Sequence, residues 1–203
     1  MLKLYHGWLS PFSRKVRIAL GEKGIEFDLI VEKDWERRRE FIEINPAGSV
    51  PVLITTDGIA LSDSQSICEY LDEINGHSDL IGKTPEQRAE TKMWVRRIDL
   101  QIVEPLTNGF RFSEGYDLFK DRLHLIPQAS DDLKAIAQER LKWLDEQLDG
   151  KKYICGERLT LADIHLYCFL NFGATVGQPI DPSNKNIVDL YSCLLYTSDA
   201  ADE

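Results

Sequence analysis

Asn45-Pro46-Ala47-Gly48-Ser49-Val50-Pro51-Val52-Leu53, followed by Leu61-Ser62-Asp63-Ser64-Gln65-Ser66, is the stretch on which the fold is decided. It holds a Val-Pro at the mouth of a short apolar strand, then an Asp-Ser pair that opens an amphipathic helix. Upstream, Leu9-Ser10-Pro11-Phe12-Ser13-Arg14-Lys15-Val16-Arg17 is a second helix start, because proline suits a first helical turn whose N–H would be unpaired anyway. A strand entered through proline and two helix N-termini can together cradle a small anionic peptide.

Working outward, the first part of the chain alternates. Residues 2–6 read as a strand. Ser10 to Lys23 read as a helix with Val16, Ile18, Ala19 and Leu20 apolar, and Gly24 is placed to stop it. Ile25 to Val31 read as a second strand with alternating apolar positions at Ile25, Phe27, Leu29 and Val31. Trp35 to Ile44 read as a charged helix. Val50 to Thr55 and Ile59 to Leu61 read as a hairpin turning on Thr56-Asp57-Gly58. Ser64 to Asn75 form a helix with Ile67, Tyr70, Leu71 and Ile74 on one face. The order β-α-β-α-β-β-α requires one mixed sheet with helices packed on it.

Beyond a period-free linker the pattern turns helical almost to the end. Thr84-Pro85-Glu86-Gln87 combines a cap, a first-turn proline and a Gln three residues after the Thr. Pro105 is expected to end or kink the first long helix. Residues 131–149 form another, striped by Leu133, Ile136, Ala137, Leu141, Leu144 and Leu148. Leu159-Thr160-Leu161-Ala162-Asp163-Ile164 reads as a capping box with Asp in place of Glu, flanked by a hydrophobic staple. The chain therefore divides into an α/β domain over residues 1–76, a linker over 77–84 and an all-helical domain over 85–192.

Composition limits the function classes. The 203 residues are 43% hydrophobic and 29% charged, as in an ordinary globule, with a net charge of -10 that disfavours nucleic acid or an anionic membrane as a general partner. The start, Met1-Leu2-Lys3-Leu4-Tyr5, runs directly into a strand and lacks the pattern of a signal peptide. No stretch approaches the ~18 apolar residues of a membrane span. Cys68, Cys155, Cys168 and Cys193 show no metal-ligand or CxxC spacing and read as reduced thiols of a cytoplasmic protein. Cys68, on a helix just past Asp63-Ser64, is either a reactive thiol or core. His6, His77, His124 and His165 show no ligand spacing, so no metal is expected.

Taken together, the Ser-Pro-Phe start, the Val-Pro strand, the Asp-Ser helix start and the later capping box resemble the cytosolic glutathione S-transferase family. The resemblance covers roughly residues 1–192. It implies a thioredoxin-like N-terminal domain (βαβαββα), an all-helical C-terminal domain that binds an electrophile, glutathione as co-substrate and a homodimer. The final stretch departs from the family: Cys193 to Glu203 reads like translated sequencing adapter, so residues 193–203 are expected to be a non-native tail.

The resemblance also assigns roles. The residue before the proline, Ser10, carries catalysis, and a hydroxyl at a helix start can supply what a thiol needs. Lowering a thiol pKa by two takes about 2.7 kcal/mol. A hydroxyl donating to a thiolate gives roughly 1.5–3 kcal/mol and the helix end about 0.3–1. Ser10 as a plain N-cap, Ser13 one turn on and Tyr5 on the first strand remain alternatives. Having Ser and not Cys at position 10 favours conjugation over disulfide exchange. The Val50-Pro51 bond is predicted cis, with the Val50 backbone pairing the cysteinyl residue of glutathione like an added strand. Asp63 and Ser64 take the γ-glutamyl end, or Ser62 or Asp63 is simply an N-cap. Arg37 takes the glycyl carboxylate, though Arg37-Arg38-Arg39 also reads as a solvated charge run; Phe12 completes the glutathione contacts. Trp8, Phe110, Phe112 and Tyr116 either line an electrophile pocket between the domains or belong to the core. The function implied is a transferase acting on a small hydrophobic electrophile. A glutathione-dependent isomerase or lyase, and a non-enzymatic interaction protein, are the rivals.

Overall fold

The structure, a computed structural model, describes residues 1–74 and 79–202, with side chains through Leu195. It divides into two compact units, Met1–Ile81 with Ser198–Glu203, and Gly82–Thr197. The expected end of the first domain at residue 76 and the first two linker positions lie outside the described residues.

The first unit carries a four-stranded sheet in the order β2-β1-β3-β4. Strand β1 (Leu2–His6) pairs parallel with β2 (Phe27–Val31) and antiparallel with β3 (Val52–Ile54), which pairs antiparallel with β4 (Ala60–Ser62). Helices α1 (Pro11–Glu22), α2 (Arg39–Ile44) and α3 (Ser64–Ile74) complete the βαβαββα order. The β3–β4 turn forms at Asp57-Gly58 with Gly58 at φ 81, and Thr55 anchors it by pairing with Ile59 in both directions.

The structure departs from the sequence pattern in two elements. Strand β2 does not bury its alternating apolar face: Leu29 is 40% and Val31 53% exposed, although their register partners Leu4 and His6 are fully buried. The helical cover reaches β1 but not the sheet edge, and β2 is that edge. The helix expected over Trp35–Ile44 is interrupted. A 3-10 turn at Asp34–Glu36 ends at Arg37, whose left-handed backbone (φ 52, ψ 39) forces a new start before α2.

The second unit is helical: α4 (Pro85–Ile98), α5 (Glu104–Arg111), α6 (Tyr116–Phe119), α7 (Ser130–Gln147), α8 (Leu161–Thr175) and α9 (Lys185–Asp202). The stretch set apart at 193–203 continues α9 to Asp202, and Leu194 is buried. Pro105 does not end the first long helix. The chain widens into a π turn at Asp99–Val103, closed by the Glu104 N–H on the Asp99 carbonyl, and continues as α5. Proline offers no N–H, so the helix opens ahead of it; the Thr107 hydroxyl satisfies the Val103 carbonyl at 2.7 Å.

Helix α8 is buried almost all round and forms the centre of this unit. Its start is the expected capping box: Asp163 accepts from the Thr160 N–H at 2.8 Å and the Thr160 hydroxyl at 2.9 Å, and also from the Ile154 N–H at 2.8 Å. Burial pushes the Asp163 pKa up against those hydrogen bonds. His165 lies 2.8 Å from Asp99, tying α8 to the π turn. On α7 the stripe is buried at Ala137, Leu141 and Leu144, but Ile136 is 44% exposed. Among the described residues no helix is long and apolar enough to cross a membrane.

Candidate functional site

The turn between β1 and α1 is built by three hydrogen bonds that close on one another. The Ser10 N–H donates to the Gly7 carbonyl at 3.1 Å, the Ser13 N–H to the Ser10 hydroxyl at 3.2 Å, and the Gly7 N–H to the Ser13 hydroxyl at 3.4 Å. Ser10 is thus the N-cap of α1, with Pro11 in the first turn. Capping uses a lone pair of its oxygen and leaves its proton free to donate, so the cap and the thiol-activating role are compatible. Ser13 is fully buried, and its hydroxyl oxygen accepts the Gly7 N–H. Tyr5 points at Phe41 of α2, with ring centroids 5.8 Å apart. Phe12 follows Pro11 and is half-buried.

Gly7 brings two expected elements together. A Cβ at this position would lie 3.4 Å from Val50 Cγ2 and 3.9 Å from Ser10 Cβ, so Ser10 and the Val50-Pro51 corner meet across it. The Val50–Pro51 peptide is cis. The loop before it is held by Asn45, which donates to the Ser49 carbonyl at 2.8 Å and accepts from the Ala47 N–H.

The arginine run separates into distinct environments. Arg38 pairs with the buried Glu32, and Arg39 with Glu43 at 2.9 Å. Arg37 reaches back to the Gly48 carbonyl at 3.4 Å, against the loop that leads to Pro51. Gly48 has φ 60, and a Cβ there would run into the Arg37 guanidinium and Ile42. Arg37 is therefore the arginine placed beside the cradle.

At the other helix start, Asp63 adopts φ 73 and caps α3, accepting the N–H and hydroxyl of Ser66 at 3.0 Å each. Ser64 is buried at the first turn. Sequence reasoning missed Lys15. It is fully buried on α1 and donates to Gln65 at 2.8 Å, bringing a cation to the first turn of α3, where helix N–H groups already favour an anion. A spacing of fifty residues between Lys15 and Gln65 leaves no local pattern to read.

Cys68 belongs to the core: it is 2% exposed, and burial pushes its pKa up to about 11. His6 is also buried, and neither ring nitrogen has a hydrogen-bond partner among the described residues. Burial, then the charge of Arg17, lowers its pKa to about 4. Its ring meets Trp8 edge-on at 4.5 Å, and Arg17 covers Trp8 at 5.0 Å. Trp8 is itself 64% exposed at the tip of the turn.

The other three aromatics lie in the helical unit. Phe110 packs with Leu106, Ala137 and Phe172 in its core. Phe112 caps α5 and is half-buried, while Tyr116 opens α6 and is exposed. A groove of about 420 Å³ in this unit is lined by Leu100, Glu104, Pro105, Leu133, Ile136 and Arg140 among others, and by none of these aromatics. Among the described residues no cluster of potential metal ligands occurs.

Residues 9–74 match the model of the glutathione S-transferase N-terminal domain, and residues 127–193 that of the glutathione S-transferase C-terminal domain. Glutathione S-transferase U1 of Arabidopsis thaliana is 30% identical over 190 residues, covering 91% of this chain and 79% of that protein. The chain belongs to the glutathione S-transferase family. It is also similar to FtsZ-localized protein A of Caulobacter vibrioides (strain NA1000 / CB15N), 31% identical over 169 residues, 79% of this chain and 72% of that one. The crystal structure of a glutathione S-transferase domain-containing protein from Marinobacter aquaeolei VT8 superimposes with a TM-score of 0.87 at 27% identity, over 95% of this chain and 96% of that one. The transferase fold accounts for the sheet order and for the helical unit that follows it.

Proposed function

We propose that the protein is a glutathione transferase in which Ser10 activates the thiol. The observation that carries this reading is the Ser10 hydroxyl: it accepts the Ser13 N–H, keeps its proton to donate, and sits at the N-terminus of α1 across Gly7 from Val50. Its proton would hold a thiolate sulfur, Val50 beside Pro51 would pair the peptide backbone, and Phe12 would complete that contact. Asp63 and Ser64 would take the γ-glutamyl end, and Arg37 the glycyl carboxylate. The thiolate then attacks an electrophilic carbon. A C–S bond forms, the leaving group departs with its electron pair, and the thiol proton passes to solvent. In this reading the protein works as a cytoplasmic homodimer in detoxification, on a small hydrophobic electrophile; Trp8 in the first unit, and separately Phe112 and Tyr116 in the second, are candidates for contact with it. Phe110 belongs to the core of the helical unit.

The test is the thiol pKa of bound glutathione, read from thiolate ultraviolet absorbance against pH in the native protein and in Ser10→Ala. Ionisation well below the free thiol value of about 8.5, lost in the variant, is the expected result. Equal pKa values in the two proteins would overturn the role of Ser10.

The similarity to FtsZ-localized protein A favours a second reading, a protein-binding module on the same scaffold. Glutathione bound with an unshifted thiol, and no thioether product from any electrophile, would put it first. Unchanged glutathione alongside a rearranged substrate would instead indicate an isomerase or lyase.

A further inference from the structure

The two edges of the sheet differ. Strand β4 is three residues long, whereas β2 is five residues long and carries no proline, lysine or bulge. An open strand edge is a template for another strand, and edges are ordinarily blunted by shortness or by such devices. The ladder fixes what this edge presents. The Glu32 N–H donates to the His6 carbonyl at 2.8 Å, and backbone groups alternate sides along a strand. Asp28 and Ile30 therefore bond β1, while the N–H and C=O groups of Phe27, Leu29 and Val31 turn outward, where no strand lies among the described residues. Side chains sort by the same period. Phe27, Leu29 and Val31 share one face, on which Leu29 and Val31 are largely exposed. Asp28 lies on the other face, with Glu26 just ahead of the strand; both are exposed, and neither has an ion pair among the described residues. Lys3, the register partner of Asp28 on β1, forms no ion pair with it and lies on the side away from the open edge. At the far end Glu32 pairs with Arg38, and Lys33 with Glu36 at 3.3 Å.

We propose that β2 takes up an extended peptide as an added edge strand, one with apolar side chains at alternate positions and Lys or Arg between them. The outward groups of Phe27, Leu29 and Val31 supply the main-chain hydrogen bonds. The partner's apolar side chains extend the face of Leu29 and Val31, and its cations meet Asp28 and Glu26 on the other. A second copy of this chain fits less well, because its own β2 would bring the same acids to this edge. The inference goes beyond the transferase reading and does not depend on Ser10.

Fluorescence anisotropy with a labelled, end-capped Val-Lys-Val-Lys-Val-Lys peptide tests this on the full chain. A block peptide, Val-Val-Val-Lys-Lys-Lys, has the same composition and charge without the period. The native protein is expected to bind the alternating peptide about tenfold more tightly than the block peptide. N-methylation of the valines, or of the lysines, blocks one edge of the alternating peptide; one of the two forms should lose the preference and the other keep it. Leu29→Pro removes an outward N–H and leaves the bonds to β1 in place, and should weaken the alternating peptide about fivefold. Asp28→Asn should weaken it about threefold. Circular dichroism melts establish that Leu29→Pro is folded; if it is not, the N-methylated peptides decide on the native protein. Equal binding of the alternating and block peptides, or a preference that survives both N-methylated forms, would overturn the proposal. Self-association that Leu29→Pro abolishes, with no peptide bound, would also overturn it and give the edge to a second copy. Ser10→Ala should leave the preference intact, so the edge and the thiol chemistry stand or fall separately.

Discussion

Acid should weaken this fold through His6 in particular. The imidazole is fully buried at the end of β1, and among the described residues neither nitrogen has a partner, so a proton placed on it finds no acceptor there and faces Arg17. Its folded pKa is lowered from 6.5 to about 4. Between those values the unfolded chain binds more protons than the folded one, so stability rises with pH through the window and is lost as pH falls through it. Linkage puts the loss from His6 alone at about 2 kcal/mol at pH ~5 and about 3 kcal/mol at pH ~4, relative to neutral pH. Urea unfolding followed by far-ultraviolet circular dichroism, across that range, measures it in the native protein and in His6→Phe. The variant keeps an aromatic ring against Trp8 and does not titrate. Carboxylates contribute alike to both proteins, so the difference between the two curves isolates His6. Two curves that stay parallel from pH ~7 to pH ~4 would refute the reasoning.

Other expectations follow from single contacts. Asp163→Ala strands the buried N–H groups of Ile154 and Thr160 and should cost about 3 kcal/mol in urea unfolding; a loss under ~1 kcal/mol would mean water replaces the carboxylate. Gly48→Ala forces a Cβ into the Arg37 guanidinium at a left-handed position and should lower stability by about 1–2 kcal/mol. If Arg37 holds the glycyl carboxylate, calorimetry should also show weaker glutathione binding in that variant, whereas unchanged affinity would free Arg37 of the role. Ser10→Cys should exchange chemistry: its thiolate attacks oxidised glutathione, forms a mixed disulfide and releases one glutathione thiolate. Mass spectrometry should find that adduct on Cys at this position and not on the buried Cys68.

What the sequence made legible was local. Ser10 with Pro11, Thr160 with Asp163, and Asp57 with Gly58 each act within a few residues, so the chemistry that shapes the backbone is written in consecutive letters. The apolar period of β2 was equally plain, but how far its face is buried depends on its place in the sheet, and Leu29 and Val31 are exposed because the helical cover stops short of this edge strand. The break at Arg37 is tied to Gly48, and Lys15 to Gln65; such pairs exist only once strands and helices are placed. Leu133 and Ile136 obey the helical period of α7, yet they border a groove, because the stripe marks one side of a helix and not how far its neighbours cover it. In the site, the two helix starts and the Val-Pro corner were readable, and the meeting of Ser10 with Val50 across Gly7 was not.

The π turn ahead of Pro105 carries one residue more per turn than the helices on either side. Each residue of an ordinary helix advances the face by about 100°. The extra residue thus sets the angular phase between α4 and α5: it lets Trp94 and Ile98 face one part of the core while Leu106 and Phe110 face another. Deleting a single residue within Asp99–Val103 would restore regular hydrogen bonding and leave Pro105 tolerable as a kink. It would also swing Phe110, and with it the ring of Phe119, out of register with Phe172. The length of this one turn, more than its residues, is what the helical unit cannot vary.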